Sequence, residues 1–134
     1  MPKTFTQKLH FAASPAELFK LYADPKLHTA ATGSPATGGA KPGRVYSAWD
    51  GYIRGKTLHV EEDRLIVQTW RASDWRAEDP DSILVLLFLA DATGSTLHLT
   101  QANVPDDQAE GLKEGWTEFY WRPWKKWLAD KKTR

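Results

Sequence analysis

Near the start of the chain, Phe5, Gln7, Leu9 and Phe11 alternate with Thr4, Thr6, Lys8 and His10. This period of two predicts a half-buried strand. Ser14-Pro15-Ala16-Glu17 then signals a helix start. Ser14 is placed to cap the free N–H groups with Glu17 reaching back, and Pro15 suits the first helical position. Leu18, Phe19, Leu21 and Tyr22 give that helix its apolar face. Asp24-Pro25 repeats the cap-then-proline signal and predicts a second short helix through Ala31. Thr32 to Gly43, rich in Gly, Pro, Ser and Ala, reads as a mobile loop.

From Arg44 to Asn103 the alternation predicts strands over Arg44–Trp49, Tyr52–Val60, Leu65–Arg71, Ser82–Leu89 and Ser95–Asn103. Asp50-Gly51 is a hairpin turn of the kind that tolerates positive φ. Glu62-Asp63 and Ala92-Thr93-Gly94 are further tight turns, and Ser73 to Asp81 is a longer loop carrying Trp75. Beyond Pro105, Asp107-Gln108-Ala109-Glu110 has the form of a capping box, so a helix is expected to run to about Ala129. Its apolar positions Leu112, Trp116, Phe119, Tyr120, Pro123, Trp124, Trp127 and Leu128 step by three and four. Gly111 and Gly115 cost that helix about 1 kcal/mol each relative to Ala. Pro123 cannot donate its backbone hydrogen bond, so a kink is expected near Phe119.

The order is strand, two short helices, five strands and one long terminal helix. A lone helix with an aromatic stripe can bury it only against the sheet. The fold class is therefore α+β: a curved antiparallel sheet of about six strands wrapped around the terminal helix, with a cavity between the layers. The 134 residues suit one domain over 1–134.

Composition narrows the function. The net charge is +1 with mixed signs, and only Lys125, Lys126, Lys131, Lys132 and Arg134 cluster, so no nucleic-acid partner is expected. The chain has no cysteine, which excludes disulfides, thiolate zinc sites and cysteine nucleophiles. Ile83 to Ala90, the longest apolar run, is well short of the roughly 20 residues of a membrane helix. With no signal peptide at Met1 to His10, a soluble, cytoplasmic protein without membrane insertion is expected. Seven tryptophans, four of them between Trp116 and Trp127, call for a large apolar surface or cavity to receive them.

Several segments resemble a known family. They are Ser47-Ala48-Trp49-Asp50-Gly51-Tyr52-Ile53-Arg54-Gly55, Ile66-Val67-Gln68-Thr69-Trp70-Arg71, Asp74-Trp75 and Gly94 to Asn103. Together with the element order, they make the chain similar from about Phe5 to Leu128 to stand-alone domains named for homology to activators of the 90-kDa heat-shock chaperone's ATPase. That family belongs to the SRPBCC superfamily, with START lipid-transfer domains and the birch pollen allergen. The resemblance implies a helix-grip fold with a pocket. It leaves function open, because the superfamily includes lipid carriers, hormone receptors, cyclases and chaperone regulators.

No catalytic centre, metal site or cofactor is read from the chain. The four histidines have no metal-ligand spacing, and His10 and His98 fall on the solvated faces of their strands. No Ser sits in a G-x-S-x-G elbow, and Gly38-Gly39-Ala40-Lys41 lacks the spacing of a phosphate loop. A titratable residue pointing into the pocket would favour a cyclase-like enzyme, for which Glu118 and Asp50 are candidates. Leu97, Leu99 and Gln101 share the inward face of the last strand. The family resemblance puts Ile66, Gln68 and Trp70 inward as well, with Leu84, Leu86 and Phe88. Gln68 and Gln101 need buried partners, for which Tyr120, a water or a ligand would serve. The expected ligand-binding residues are Gln68, Trp70, Phe88, Leu99, Gln101, Trp116, Phe119 and Tyr120.

These readings favour non-enzymatic binding of a small hydrophobic or amphipathic molecule. The alternative is a chaperone- or stress-related protein-interaction module. For it, the outward positions Leu65, Val67, Ile83, Val85 and Leu87 would form an apolar patch for a second copy, a chaperone or a client.

Overall fold

Six antiparallel strands in the order β1-β6-β5-β4-β3-β2 form the sheet. They are β1 (Lys3–Phe11), β2 (Val45–Ala48), β3 (Ile53–Glu61), β4 (Leu65–Ala72), β5 (Ser82–Asp91) and β6 (Gly94–Val104). This computed structural model describes residues 2–132, so Arg134 of the basic tail lies outside the described residues.

Both short helices start as their caps dictate. The Ser14 hydroxyl accepts the Glu17 N–H at 3.2 Å to open α1 (Pro15–Ala23), and Asp24 accepts the Lys26 N–H at 2.9 Å to open α2 (Pro25–Thr32). The loop after α2, expected to be mobile, is tied down along its length, with the Asp50 N–H on the Pro35 carbonyl and the Gly43 N–H on the Thr57 carbonyl. Ala40 donates its N–H to the Ala23 carbonyl, and Thr37 bridges to Ser47 of β2. At the β2–β3 turn Trp49, Asp50 and Gly51 all adopt positive φ. Gly55 in β3 has no room for a side chain, since a Cβ would lie 2.0 Å from the Thr69 carbonyl oxygen, which the Tyr46 hydroxyl caps at 2.7 Å.

Alternation of inner and outer residues holds across the three central strands. Ile66, Gln68 and Trp70, then Leu84, Leu86 and Phe88, then Leu97, Leu99 and Gln101 are all buried. Register places Gln68, Leu84 and Gln101 side by side in one row. Leu65, Val67, Ile83, Val85 and Leu87 fall on the other face, half-buried, with Leu65 opposite Leu87 and Val67 opposite Val85.

The terminal helix departs from expectation in its cap and in the register of its aromatic stripe. It begins at Ala109, and Asp107 caps nothing: the N-cap position is Gln108, without a side-chain bond, while Asp107 pairs with exposed Arg76 at 3.3 Å. Gln108 N–H instead closes onto the Pro105 carbonyl, a backbone turn that leaves the capping box unused. The expected kink is a π-helical turn over Thr117–Trp121, between α3 (Ala109–Trp116) and α4 (Arg122–Lys132), with Arg122 N–H reaching back five residues to the Thr117 carbonyl. Pro123 has no N–H for the Phe119 carbonyl and its ring crowds that oxygen, which a wider turn relieves. The wide turn also rotates the aromatic stripe. Phe119 is 48% exposed, whereas Trp121, absent from the three-and-four spacing, is 1% exposed. Trp116, Trp124 and Leu128 are buried as expected, and Trp127 is partly buried. No described helix is long and apolar enough to cross a membrane.

Candidate ligand-binding cleft

The inner face of the sheet is mostly filled. Trp121 and Trp124 pack on Phe11, Phe19 packs on Phe88, and Trp116 stacks on Trp121 with ring centroids 5.4 Å apart. At the β2–β3 end, however, a cleft of about 510 Å³ remains between sheet and helix. Trp49, Tyr52, Ile53 and Trp70 line it from the sheet side. Gln108, Gly111, Leu112, Gly115, Trp116, Phe119 and Tyr120 line it from the helix side. The volume falls within the range of small-molecule sites, and the lining is the aromatic kind such sites use.

Four of the expected site residues meet here: Trp70, Trp116, Phe119 and Tyr120. The other four do not. Phe88 and Leu99 lie in the solid core, and Gln68 and Gln101 each bond protein groups through both amide atoms. Gln68 accepts from the Tyr22 hydroxyl at 2.7 Å and donates to Thr57 at 3.1 Å. Gln101 accepts the Trp116 indole N–H at 2.9 Å and donates to Ser82 at 3.0 Å. Neither glutamine bonds to Tyr120.

Tyr120 instead meets a residue that sequence reasoning passed over. His28, 5% exposed on α2, has Nδ1 3.0 Å from the Tyr22 carbonyl and Nε2 2.9 Å from the Tyr120 hydroxyl. A carbonyl can only accept, so the proton sits on Nδ1 and Nε2 accepts from Tyr120. Burial lowers the His28 pKa from 6.5 to about 4, with the bond to Tyr22 pulling the other way. Burial likewise raises the Tyr120 phenol well above its ordinary value, opposed by a hydrogen bond from Trp49. The imidazole and both phenols are therefore neutral near pH 7; His28 bridges the Tyr120 hydroxyl to the Tyr22 backbone, while the Tyr22 hydroxyl continues separately to Gln68 and Thr57.

This arrangement ties the Tyr120 ring of the cleft wall to His28 on α2. Glu118 and Asp50 are exposed and neither lines the cleft. Trp49, Tyr52, Ile53, Gln108, Gly111, Leu112 and Gly115 line the cleft without having been expected from the sequence. The two glycines one helical turn apart, on the face of Leu112 and Trp116, were the available signal.

Comparison with known proteins places this geometry. The family described as "Activator of Hsp90 ATPase homolog 1-like protein" matches residues 12–128. The human "Activator of 90 kDa heat shock protein ATPase homolog 1" is 30% identical over 116 residues, covering 86% of this chain and 34% of that protein. An uncharacterized protein of Schizosaccharomyces pombe is 31% identical over 113 residues, covering 84% of this chain and 33% of the other. The chain thus spans only about a third of the curated relatives it matches. A crystal structure of an HSP90 activator from Plasmodium falciparum superposes with a TM-score of 0.82 at 25% identity, covering 96% of each chain. A Mesorhizobium loti protein of 21% identity gives 0.81, covering 96% of this chain and 98% of that one, and shares the fold. With the helix-grip arrangement of curved sheet and terminal helix in place, the chain belongs to the family of Activator of Hsp90 ATPase homolog 1-like proteins.

Proposed function

We propose that this domain binds a small hydrophobic or amphipathic molecule in the cleft between β3, β4 and the terminal helix. The observation that carries the reading is the cleft itself: about 510 Å³ walled by Trp49, Trp70, Trp116, Phe119 and Tyr120 with no charged side chain in its lining. Apolar area of this kind gains free energy by leaving water, at about 25 cal/mol per Å². Native mass spectrometry of gently purified protein should show an added small-molecule mass, and Nile red should bind the stripped protein saturably. A protein that carries no added mass and gives no saturable Nile red signal excludes this reading.

A second reading is a chaperone-related interaction module, and two observations favour it. The human and Plasmodium falciparum relatives are named as activators of the heat-shock ATPase. The outer sheet face also carries a half-buried aliphatic patch centred on Val67 and Val85. On this reading the domain raises the ATPase rate of Hsp90, and Val85→Lys abolishes the effect while leaving Nile red binding intact. A second copy of the chain is the other candidate occupant of that face, which sedimentation velocity distinguishes by its concentration dependence.

A further inference from the structure

Three residues that line the cleft are poor choices for the backbone they occupy. Trp49 sits in the left-handed region at φ 52°, where a bulky side chain is strained. Gly111 and Gly115 lie in α3, where glycine weakens a helix relative to alanine. Packing does not demand these glycines. A Cβ at Gly111 meets nothing within 4 Å, and one at Gly115 meets only the Phe119 ring at 3.7 Å, an ordinary contact. Neither has a positive φ. Local choices that work against the fold and collect around one cavity point to what the cavity holds.

The chemistry of the lining narrows what that is. Among the described residues no Asp, Glu, Lys, Arg or His lines the cleft, so a buried charge on an occupant would find no counter-ion there. Three polar groups of the lining are committed within the protein, whereas the Gln108 amide, uncharged, makes no side-chain hydrogen bond among the described residues. The Trp116 indole donates to Gln101, the Tyr120 hydroxyl bonds to His28, and the Tyr52 hydroxyl donates to Asp74. Trp70, 3% exposed, has its indole N–H without a partner among the described residues.

Resting on the ligand-binding reading above, we infer that the occupant is a small uncharged molecule built on flat rings, laid against the bare backbone of α3 at Gly111 and Gly115. One helical turn of glycine leaves a strip of roughly 6 Å with no Cβ to hold a ring away from the backbone. Trp49, Trp70, Trp116 and Phe119 then supply the faces and edges that aromatic rings pack against in offset or edge-on geometry. A flexible charged chain, such as a fatty acid, has no use for a flat floor and finds no cation for its carboxylate.

The test compares the wild-type protein with Gly111→Ala and Gly115→Ala, using flavone and coumarin as flat uncharged probes and laurate as a charged chain. Binding is followed by calorimetry and by quenching of intrinsic tryptophan fluorescence. Both variants should melt at a higher temperature than wild type while binding flavone about tenfold or more weakly, the scale of a misplaced methyl group in an apolar pocket. Laurate should bind wild type more weakly than flavone does. Unchanged flavone affinity in both variants overturns the glycine floor and leaves the ligand-binding reading standing. Laurate binding with no response to flavone or coumarin overturns the flat, uncharged class but again not the cleft. A lower melting temperature in the variants shows that the fold requires the glycines and removes the premise. Failure of all three probes to bind defeats this inference, while the mass-spectrometric and Nile red tests independently decide whether the cleft binds ligand at all.

Discussion

Gln101 on β6 accepts the indole N–H of Trp116 on α3 at 2.9 Å, the two side chains being 0% and 2% exposed. This bond joins the middle of the sheet to the wall of the cleft. It is backed by Ser82, which accepts from Gln101 at 3.0 Å and donates to the Trp70 carbonyl at 2.7 Å. Gln101→Leu keeps the volume but strands the Trp116 donor in a site sealed from water, at a cost of about 1–3 kcal/mol. Equilibrium urea unfolding measures it. Combining Gln101→Leu with Trp116→Phe should cost less than the sum of the two, because the second change removes the stranded donor. Strict additivity would show that the bond contributes nothing specific.

His28 makes stability depend on pH in a window that is set by its burial. The folded pKa, about 4, lies below the ordinary 6.5, so between these values the unfolded chain binds more protons than the folded one. Stability from this group is therefore complete above pH 6.5 and declines as pH falls toward 4, by roughly 3 kcal/mol at most. His28→Gln should flatten the slope of unfolding free energy between pH 6.5 and 4.5. A wild-type profile flat over that range would mean that His28 is not buried as a neutral imidazole.

How far the sequence foretold this structure depended on whether a feature was local. The parity of β4, β5 and β6 was legible because a period of two leaves only two choices, and Leu84, Leu86 and Phe88 against Ile83, Val85 and Leu87 show which was taken. Caps at Ser14 and Asp24 were legible because each bond spans two or three residues. The cleft was only half legible. Its helix side follows from the stripe, but Trp49 and Tyr52 arrive from a hairpin end brought over the helix by the curl of the sheet. Along the terminal helix Tyr120, Trp124 and Leu128 are buried as the spacing foretold, but a uniform period cannot anticipate the π turn that carries Phe119 outward and Trp121 inward. His28 was missed because its partners, Tyr22 and Tyr120, are six and 92 residues away along the chain.

The capping-box motif at Asp107 gives a direct check on this distinction. Its carboxylate is exposed and pairs with Arg76, itself exposed, at 3.3 Å. Asp107→Ala should therefore change stability by no more than about 0.5 kcal/mol, the usual range for a surface ion pair. A cap would cost about 1 kcal/mol. Thermal and urea unfolding of this single variant separate the two outcomes.

Phe119 should divide stability from binding. At 48% exposure it holds little of the core together, but its ring meets Trp49 edge-on with centroids 5.3 Å apart at the cleft. Phe119→Ala is expected to cost about 1 kcal/mol or less, where a buried aromatic would cost about 3–5. The same variant should weaken Nile red binding. A loss of several kcal/mol would put Phe119 back in the core and close the cleft at that edge.

Adjacent residues on β5 offer the sharpest test of the sheet's two faces. Leu84 is 0% exposed on the inner face between Gln68 and Gln101, whereas Val85 falls on the other face, opposite Val67 on β4 and Thr100 on β6. A lysine at 84 would bury an ammonium group with no partner beside Gln68 and Gln101, whose polar atoms are already committed. Leu84→Lys should therefore cost more than about 4 kcal/mol and leave little folded protein. Val85→Lys puts the same charge on the outer face, where the long side chain can lie along its aliphatic neighbours and keep its head in water. It should cost about 1 kcal/mol or less, mostly from the lower strand propensity of lysine. Circular dichroism with urea unfolding reads both variants. Equal destabilisation would mean that the outer face is covered in the folded protein, and sedimentation of wild type against Val85→Lys would then reveal whether a second copy covers it.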